Sequence, residues 1–344
     1  MTFNVDKPFD AALAYQIYQQ TLGPIADRFV GKKRISVITN GALTSIPLQL
    51  LITSDPTGKA LKDVDWLIKS VAITVIPSIY SLKTMRAQKP HSTAQKPMIA
   101  YADPVFSKTA REEAQKVALR SMASFYSGTQ INVTALAETL DQLPSTKDEV
   151  VRVAKALNVP ANDIHTGLEA TEAAVKRAPL DEYRIVYFAT HALVAGDLKA
   201  FAKVKAEPAL VLTIPDKPTD QDDGLLQASE ISELRLNADW VVLSACNTAA
   251  SDGVGAEALS GLARAFFYAG ARSLVVSHWD VLDEETALLM SDLFKRSSQN
   301  RLLSHGEALQ QAQLNMLNSA KNDGDAHPRV WAPFVVVGEP AKPN

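Results

Sequence analysis

Ala238-Asp239-Trp240-Val241-Val242-Leu243-Ser244-Ala245-Cys246-Asn247-Thr248 is an apolar, β-branched run that gives way at once to small polar residues, and it carries the only cysteine of the chain. A short apolar run stopped in this way reads as a buried strand, so Cys246 stands at its carboxyl end. Upstream, Arg184-Ile185-Val186-Tyr187-Phe188-Ala189-Thr190-His191-Ala192 has the same shape and closes on a histidine. Two strands therefore deliver His191 and Cys246 to one sheet edge. Around them the chain alternates: strands 184–190, 209–214 and 239–245, helix 256–269, strand 273–279, helices 284–297 and 305–318, and strand 333–337. This order predicts an α/β class with a mostly parallel sheet flanked by helices on both faces.

Helix boundaries carry their own signals. Thr146 with Glu149 three residues on reads as a capping box opening a helix through Leu157, and Thr171 opens 172–177. Leu259, Leu262, Ala263, Phe266 and Phe267 share one face of the helix after Cys246, with Gly270 suited to its C-cap; Ser304 and Glu307 cap the later helix. Residues 215–224 form an acidic, Pro-rich loop too polar to bury. In the first half the pattern gives helix 9–29, strand 34–39, a turn at Asn40-Gly41, strand 66–78 stopped by Pro77, helix 78–85, a polar loop 86–97 and strand 98–102. From 103 to 137 the pattern weakens to a helix over 109–124 and a strand over 130–136. That stretch is the expected seam between two halves, 1–137 and 138–344.

The chain has 344 residues, 47% of them hydrophobic, enough for two lobes or one long α/β domain. Thirty-five basic against 38 acidic residues give a formal charge of −3, which leaves no chain-wide basic field for nucleic acid or anionic lipid. Neither nucleic acid nor membrane is expected as a direct partner. The start lacks a signal-peptide pattern and no apolar run reaches the roughly 18 residues of a membrane span, so a cytoplasmic location is expected. A lone cysteine excludes an internal disulfide and a C-x-x-C site, and a reducing compartment keeps its thiol available.

A cysteine attacks a carbonyl as thiolate, and an adjacent imidazole lowers its pKa from about 8.5 or takes its proton. In open α/β sheets the carboxyl ends of the strands form the site crevice, where His191 and Cys246 converge. The main-chain N–H of Cys246, with that of Ala192, is then placed to bind an oxyanion. Taken singly, a cysteine after Val-Val-Leu is ordinary packing; the joint placement at two strand ends favours the layout of a cysteine protease. His165, His305 and His327 lack metal-ligand spacing and Gly253-Val254-Gly255 lacks a phosphate-binding frame, so no metal or other cofactor is expected. His278, followed by Trp279 in an apolar strand, reads as a core or rim histidine.

At these residues the sequence resembles the CHAT domain, the caspase-like module often attached to TPR repeats. The resemblance is carried by Phe188-Ala189-Thr190-His191, Leu243-Ser244-Ala245-Cys246-Asn247-Thr248, Gly261-Leu262-Ala263-Arg264-Ala265-Phe266, Ala269-Gly270-Ala271, Val276-Ser277-His278-Trp279 and His327-Pro328 with Trp331-Ala332-Pro333-Phe334. It extends through Asp223-Gly224-Leu225-Leu226, Glu230-Ile231 and Ala170-Thr171-Glu172 to Asn40-Gly41-Ala42-Leu43 and Ile46-Pro47. It implies a caspase-hemoglobinase fold and a Cys–His peptidase similar to separases, its N-terminal half a degenerate copy of the catalytic half. Ser244 stands where the caspase signature has Gln, and Ala192 where caspases have Gly, so a caspase preference for aspartate does not follow.

The resemblance implies instead cleavage after a basic residue, hence an acidic specificity pocket. Asp280, just after Ser277-His278-Trp279, is the first candidate and Asp223 the second; helix capping at Asp280 and a solvated turn at Asp223 are the competing readings. Expected partners are a protein or peptide substrate and a TPR-containing or other regulatory protein that holds the enzyme latent, in bacterial defence or programmed death as the resemblance suggests. The competing functions are a catalytically silent interaction module of the same fold and a small-molecule acyltransferase or amidase using the same dyad.

Overall fold

The run around Trp240 lies inside an eight-stranded sheet. The structure is a computed structural model that describes residues 8–79, 81, 92–106, 126–127, 130–131, 140–193, 207–215, 217–219, 221–244, 255–279, 283–300 and 302–338. In chain order its strands are β1 (Arg34–Val37), β2 (Ala72–Val75), β3 (Lys96–Pro104), β4 (Tyr126–Ser127), β5 (Gln130–Ile131), β6 (Ile164–Gly167), β7 (Tyr183–Ala189), β8 (Ala192–Leu193), β9 (Ala209–Val211), β10 (Leu225–Gln227), β11 (Trp240–Ser244), β12 (Ser273–Ser277) and β13 (Phe334–Gly338). The large sheet has the spatial order β1-β2-β13-β12-β11-β7-β3-β6. All neighbours in it run parallel except β12 and β13. Strands from both sides of position 137 interleave, since β3 lies between β7 and β6 while β1 and β2 extend the sheet beyond β13.

The described helices are α1 (Ala11–Thr21), α2 (Leu67–Ser70), α3 (Pro144–Leu157), α4 (Glu172–Arg177), α5 (Ala228–Glu233), α6 (Gly255–Ala269), α7 (Asp283–Gln299), α8 (His305–Ser319) and α9 (Pro328–Trp331). Alternation along the strands sends Val186, Phe188, Val241, Leu243, Leu274 and Val276 to one face, where Leu262 and Phe266 of α6 cover them. Ile185, Tyr187, Val242 and Val275 face the other way, against Val150 and Val153 of α3, Leu289 and Leu293 of α7 and Leu309 of α8. A sheet buried on both faces needs continuous apolar strands, which is why 240–243 carries no polar alternation. Among the described residues no helix is long and apolar enough to cross a membrane.

Several expectations change. Residues 9–29 are not one helix: α1 stops at Thr21 and a 3₁₀ segment, Gly23–Arg28, begins at Gly23-Pro24, where the proline has no N–H to continue the ladder. Within 66–78 only Ala72–Val75 is strand, because Leu67–Ser70 forms a buried helical turn; a short apolar run does not distinguish the two. The expected strand 209–214 contributes only Ala209–Val211, in a separate antiparallel sheet of order β10-β9-β8. Thr146 and Glu149 form no capping box. α3 starts at Pro144, Thr146 Oγ1 accepts from Asp103 N at 2.9 Å, and buried Glu149 accepts from the Tyr187 hydroxyl. The Thr171 cap, the Ser304–Glu307 box and Gly270 at φ +114° stand as expected. The acidic loop is only partly solvated, since Asp223 is half-buried and Gly224 buried. Most of 78–85, all of 109–124 and most of 130–136 lie outside the described residues.

Candidate active site

β7 and β11 are adjacent and parallel, with Ala189 opposite Ser244. The chain thus leaves both strands at the same level, two residues before His191 on one and two before Cys246 on the other, and neighbouring strands lie about 4.8 Å apart. Cys246 itself, with 245–254, falls outside the described residues, as does Asp280.

His191 is held from three sides. Its Nε2 lies 2.9 Å from the carbonyl oxygen of Asp141, its ring packs against Phe106 at a centroid distance of 5.3 Å, and its own carbonyl accepts from Val211 N at 2.9 Å. The preceding Thr190 donates its hydroxyl to the Val211 carbonyl. A carbonyl oxygen only accepts, so in the neutral ring Nε2 carries the proton and Nδ1 keeps the basic lone pair. Ala192 begins β8, opposite Leu210 of β9.

Asp141 and Phe106 escaped the sequence reading for definable reasons. A main-chain carbonyl leaves no side-chain signature, and Phe106 sits where the chain pattern weakens. A third residue at the same edge was also missed. Asp103 follows Ala102, which pairs with Ala189, and occupies a bulge of β3 with φ 49°. That left-handed backbone is rare for a residue with a side chain and recurs at functional edges. Its N–H is fixed by Thr146 Oγ1. The next residues tie back in turn, Val105 N donating to Thr213 Oγ1 at 2.9 Å.

Asp223 sits in the turn before β10. Its Oδ1 accepts from Leu225 N at 2.8 Å, its N–H donates to Glu172 Oε2, and burial pushes its carboxyl upward. His278 closes β12 at the active edge, 5% exposed, and burial pushes its imidazole down to about 3. It therefore stays neutral and is too weak a base to take a thiol proton. His165 stacks on Tyr101, His305 Nδ1 meets Ser273 Oγ, and His327 caps α9. The three lie on separate elements. Among the described residues no group of three or more His, Cys, Asp or Glu side chains is placed to hold a metal.

The sheet thus sets the exit of β7, which leads to the main-chain-anchored His191, beside the exit of β11. The chain belongs to the CHAT domain family, which it matches over residues 11–339. It is 26% identical to tetratricopeptide repeat protein 28 of Mus musculus over 349 residues, covering 92% of this chain and 12% of that protein. The Homo sapiens protein of the same name matches at 26% over 342 residues with the same coverages. The chain spans 12% of the length of these curated relatives. Among solved structures it is similar to the Saccharomyces cerevisiae separase–securin complex, with TM-score 0.39 and 16% identity over 81% of this chain and 15% of that one. It is also similar to the Arg specific cysteine proteinase gingipain R, with TM-score 0.44 and 11% identity over 98% and 69%.

Proposed function

We propose that this CHAT domain is a cysteine endopeptidase in which His191 is the base and Cys246 the nucleophile. The observation that carries the reading is the shared exit level of β7 and β11, together with an imidazole whose Nε2–H is committed to Asp141 and whose Nδ1 is left basic. Nδ1 takes the Cys246 proton, and Sγ bonds to the substrate carbonyl carbon. The oxyanion accepts from the N–H groups of Cys246 and Ala192. The imidazolium then protonates the departing amine as the C–N bond breaks, leaving a thioester. Water, deprotonated by His191, attacks that thioester and releases the acid and the thiol.

Cleavage follows a basic residue, whose cation pairs with an aspartate at the edge. Asp280 and Asp223 are the candidates from the sequence, and Asp103 joins them because β3 ends beside β7. Asp223 already spends one oxygen on its own turn. The relatives bear tetratricopeptide repeats in their names, so latency imposed by such a module, in the same polypeptide or a partner, is part of the proposal. The half 1–137 is proposed as the degenerate copy of the catalytic half.

The test is turnover of fluorogenic peptides ending in Arg, Lys or Asp by the wild type, Cys246→Ala and His191→Ala. Turnover after Arg or Lys that disappears in both variants is the expected result. Turnover after Asp alone would overturn the pocket. With no turnover, the absence of Cys246 labelling by an electrophilic Arg peptide would leave the interaction-module reading.

A further inference from the structure

Glu172 is 1% exposed, yet it is a carboxylate on the first turn of α4, away from His191. Its Oε2 accepts from the N–H of Asp223 and of Gly224, both at 2.9 Å. Its Oε1 pairs with Lys176, whose Nζ also reaches the Gln221 carbonyl at 2.9 Å and Glu230 Oε1 at 2.6 Å. One carboxylate–ammonium–carboxylate triad thus fastens the turn 221–224 through three main-chain groups. Gly224 has φ +87°, and a Cβ there would meet Ile214 at 2.9 Å, so the turn lies directly on the segment 212–214.

From that turn the main chain leads to the histidine. Gly224 O accepts from Leu212 N at 2.7 Å, and the next residue, Val211, donates its N–H to His191 O and takes the Thr190 hydroxyl on its carbonyl. On its other side the segment is pinned at Thr213, whose N–H donates to Ala170 O and whose hydroxyl donates to Gly167 O. β9 is three residues long and belongs to no large sheet, so its placement depends on these clamps.

We propose that Glu172 is a positioning residue for His191, acting through the 221–224 turn and the strap 209–213. The inference rests on the base role given to His191 above. The charged groups facing Glu172 are Lys176 on α4 and Glu230 on α5, with Asp223, from whose N–H it accepts, in the turn. Burial pushes the Glu172 carboxyl up to about 7 against the pull of Lys176 and the Gly224 N–H. The charged carboxylate is the stronger acceptor for these N–H groups, so removing its charge weakens the grip on the turn.

The experiment compares wild type with Glu172→Gln, which keeps the volume and removes the charge, by amide hydrogen exchange and by long-range ¹H–¹⁵N spectra of the His191 ring at pH 8. The expected result is exchange at Val211, Leu212 and Gly224 at least ten-fold faster, unchanged exchange at Val241 and Val242, and loss of the pure Nε2–H tautomer of His191. Wild-type exchange at Val211 and Leu212, or an unaltered His191 tautomer, would overturn the proposal. Should Glu172→Gln not fold, Glu230→Gln at the more open end of the triad tests the same amides, with a smaller acceleration expected and none overturning. Neither readout needs turnover, so a protein that neither cleaves peptides nor is labelled at Cys246 sinks the peptidase reading and leaves this measurement intact.

Discussion

The imidazole of His191 is oriented by a carbonyl, not by a carboxylate. The Asp141 oxygen fixes the tautomer without adding negative charge, and Phe106 covers one side of the ring. His191→Ala and Cys246→Ala should each lower peptide turnover by about 10³-fold or more, read as initial rates. Of the three acids, Asp280, Asp223 and Asp103, the one that binds the cation in ground and transition states alike should, as its Asn variant, raise KM for Arg peptides with kcat less affected. The variant that does so identifies the pocket. At His278 the sign follows from burial. The folded imidazole is held near 3 while an unfolded histidine titrates near 6.5, so the native state binds fewer protons in that window. Stability is fully present above about 6.5 and declines as pH falls toward 3. Between about pH 7 and 4 the wild type should lose about 3 kcal/mol relative to His278→Gln, measured by chemical denaturation at each pH.

Among the elements, α6 shows how a local signal and a tertiary contact agree. Gly270 ends it in the left-handed region, with Gly270 N and Ala271 N both donating to Phe266 O. A Cβ there would stand 2.2 Å from Leu236 O. Gly270→Ala should cost about 2–4 kcal/mol, seen as a lowered midpoint in denaturant. Caps of this kind were legible because they depend on residues three or four apart. Thr146 and Glu149 had the right spacing and the wrong role, since Pro144 starts α3 earlier and both side chains are drawn to tertiary partners, Asp103 and Tyr187. The strand at 209–214 was readable as extended backbone, but not the sheet it joins. β-Branched residues satisfy either sheet, and Gly224 O, His191 O and Leu226 make the choice.

At the scale of the molecule, the sheet changes direction once. β6, β3, β7, β11 and β12 run together, and β13 reverses to carry β2 and β1. β2 meets β13 through the single register pair Val337–Val75, whereas β11 is paired along both sides. Opening is therefore expected to begin at β1 and β2, with amides there exchanging at least about ten-fold faster than those of β7 and β11 in native-state hydrogen exchange. Equal protection across all eight strands would contradict this.

By itself the sequence determined the α/β class and the family, and it pointed to two strands that lead toward His191 and Cys246. Apolar runs buried on two faces, helices with apolar stripes, and two strands closing on His191 and Cys246 are patterns that local chemistry imposes and residue spacing reveals. The tertiary structure alone decided that Ala189 lies opposite Ser244, that Asp141 and Phe106 frame the histidine, that Asp103 stands at the same edge, and that buried Glu172 grips the turn beside the strap. These depend on main-chain carbonyls, backbone conformation and strand order. Their partners lie far apart along the chain, and only the packed sheet brings them within hydrogen-bond distance.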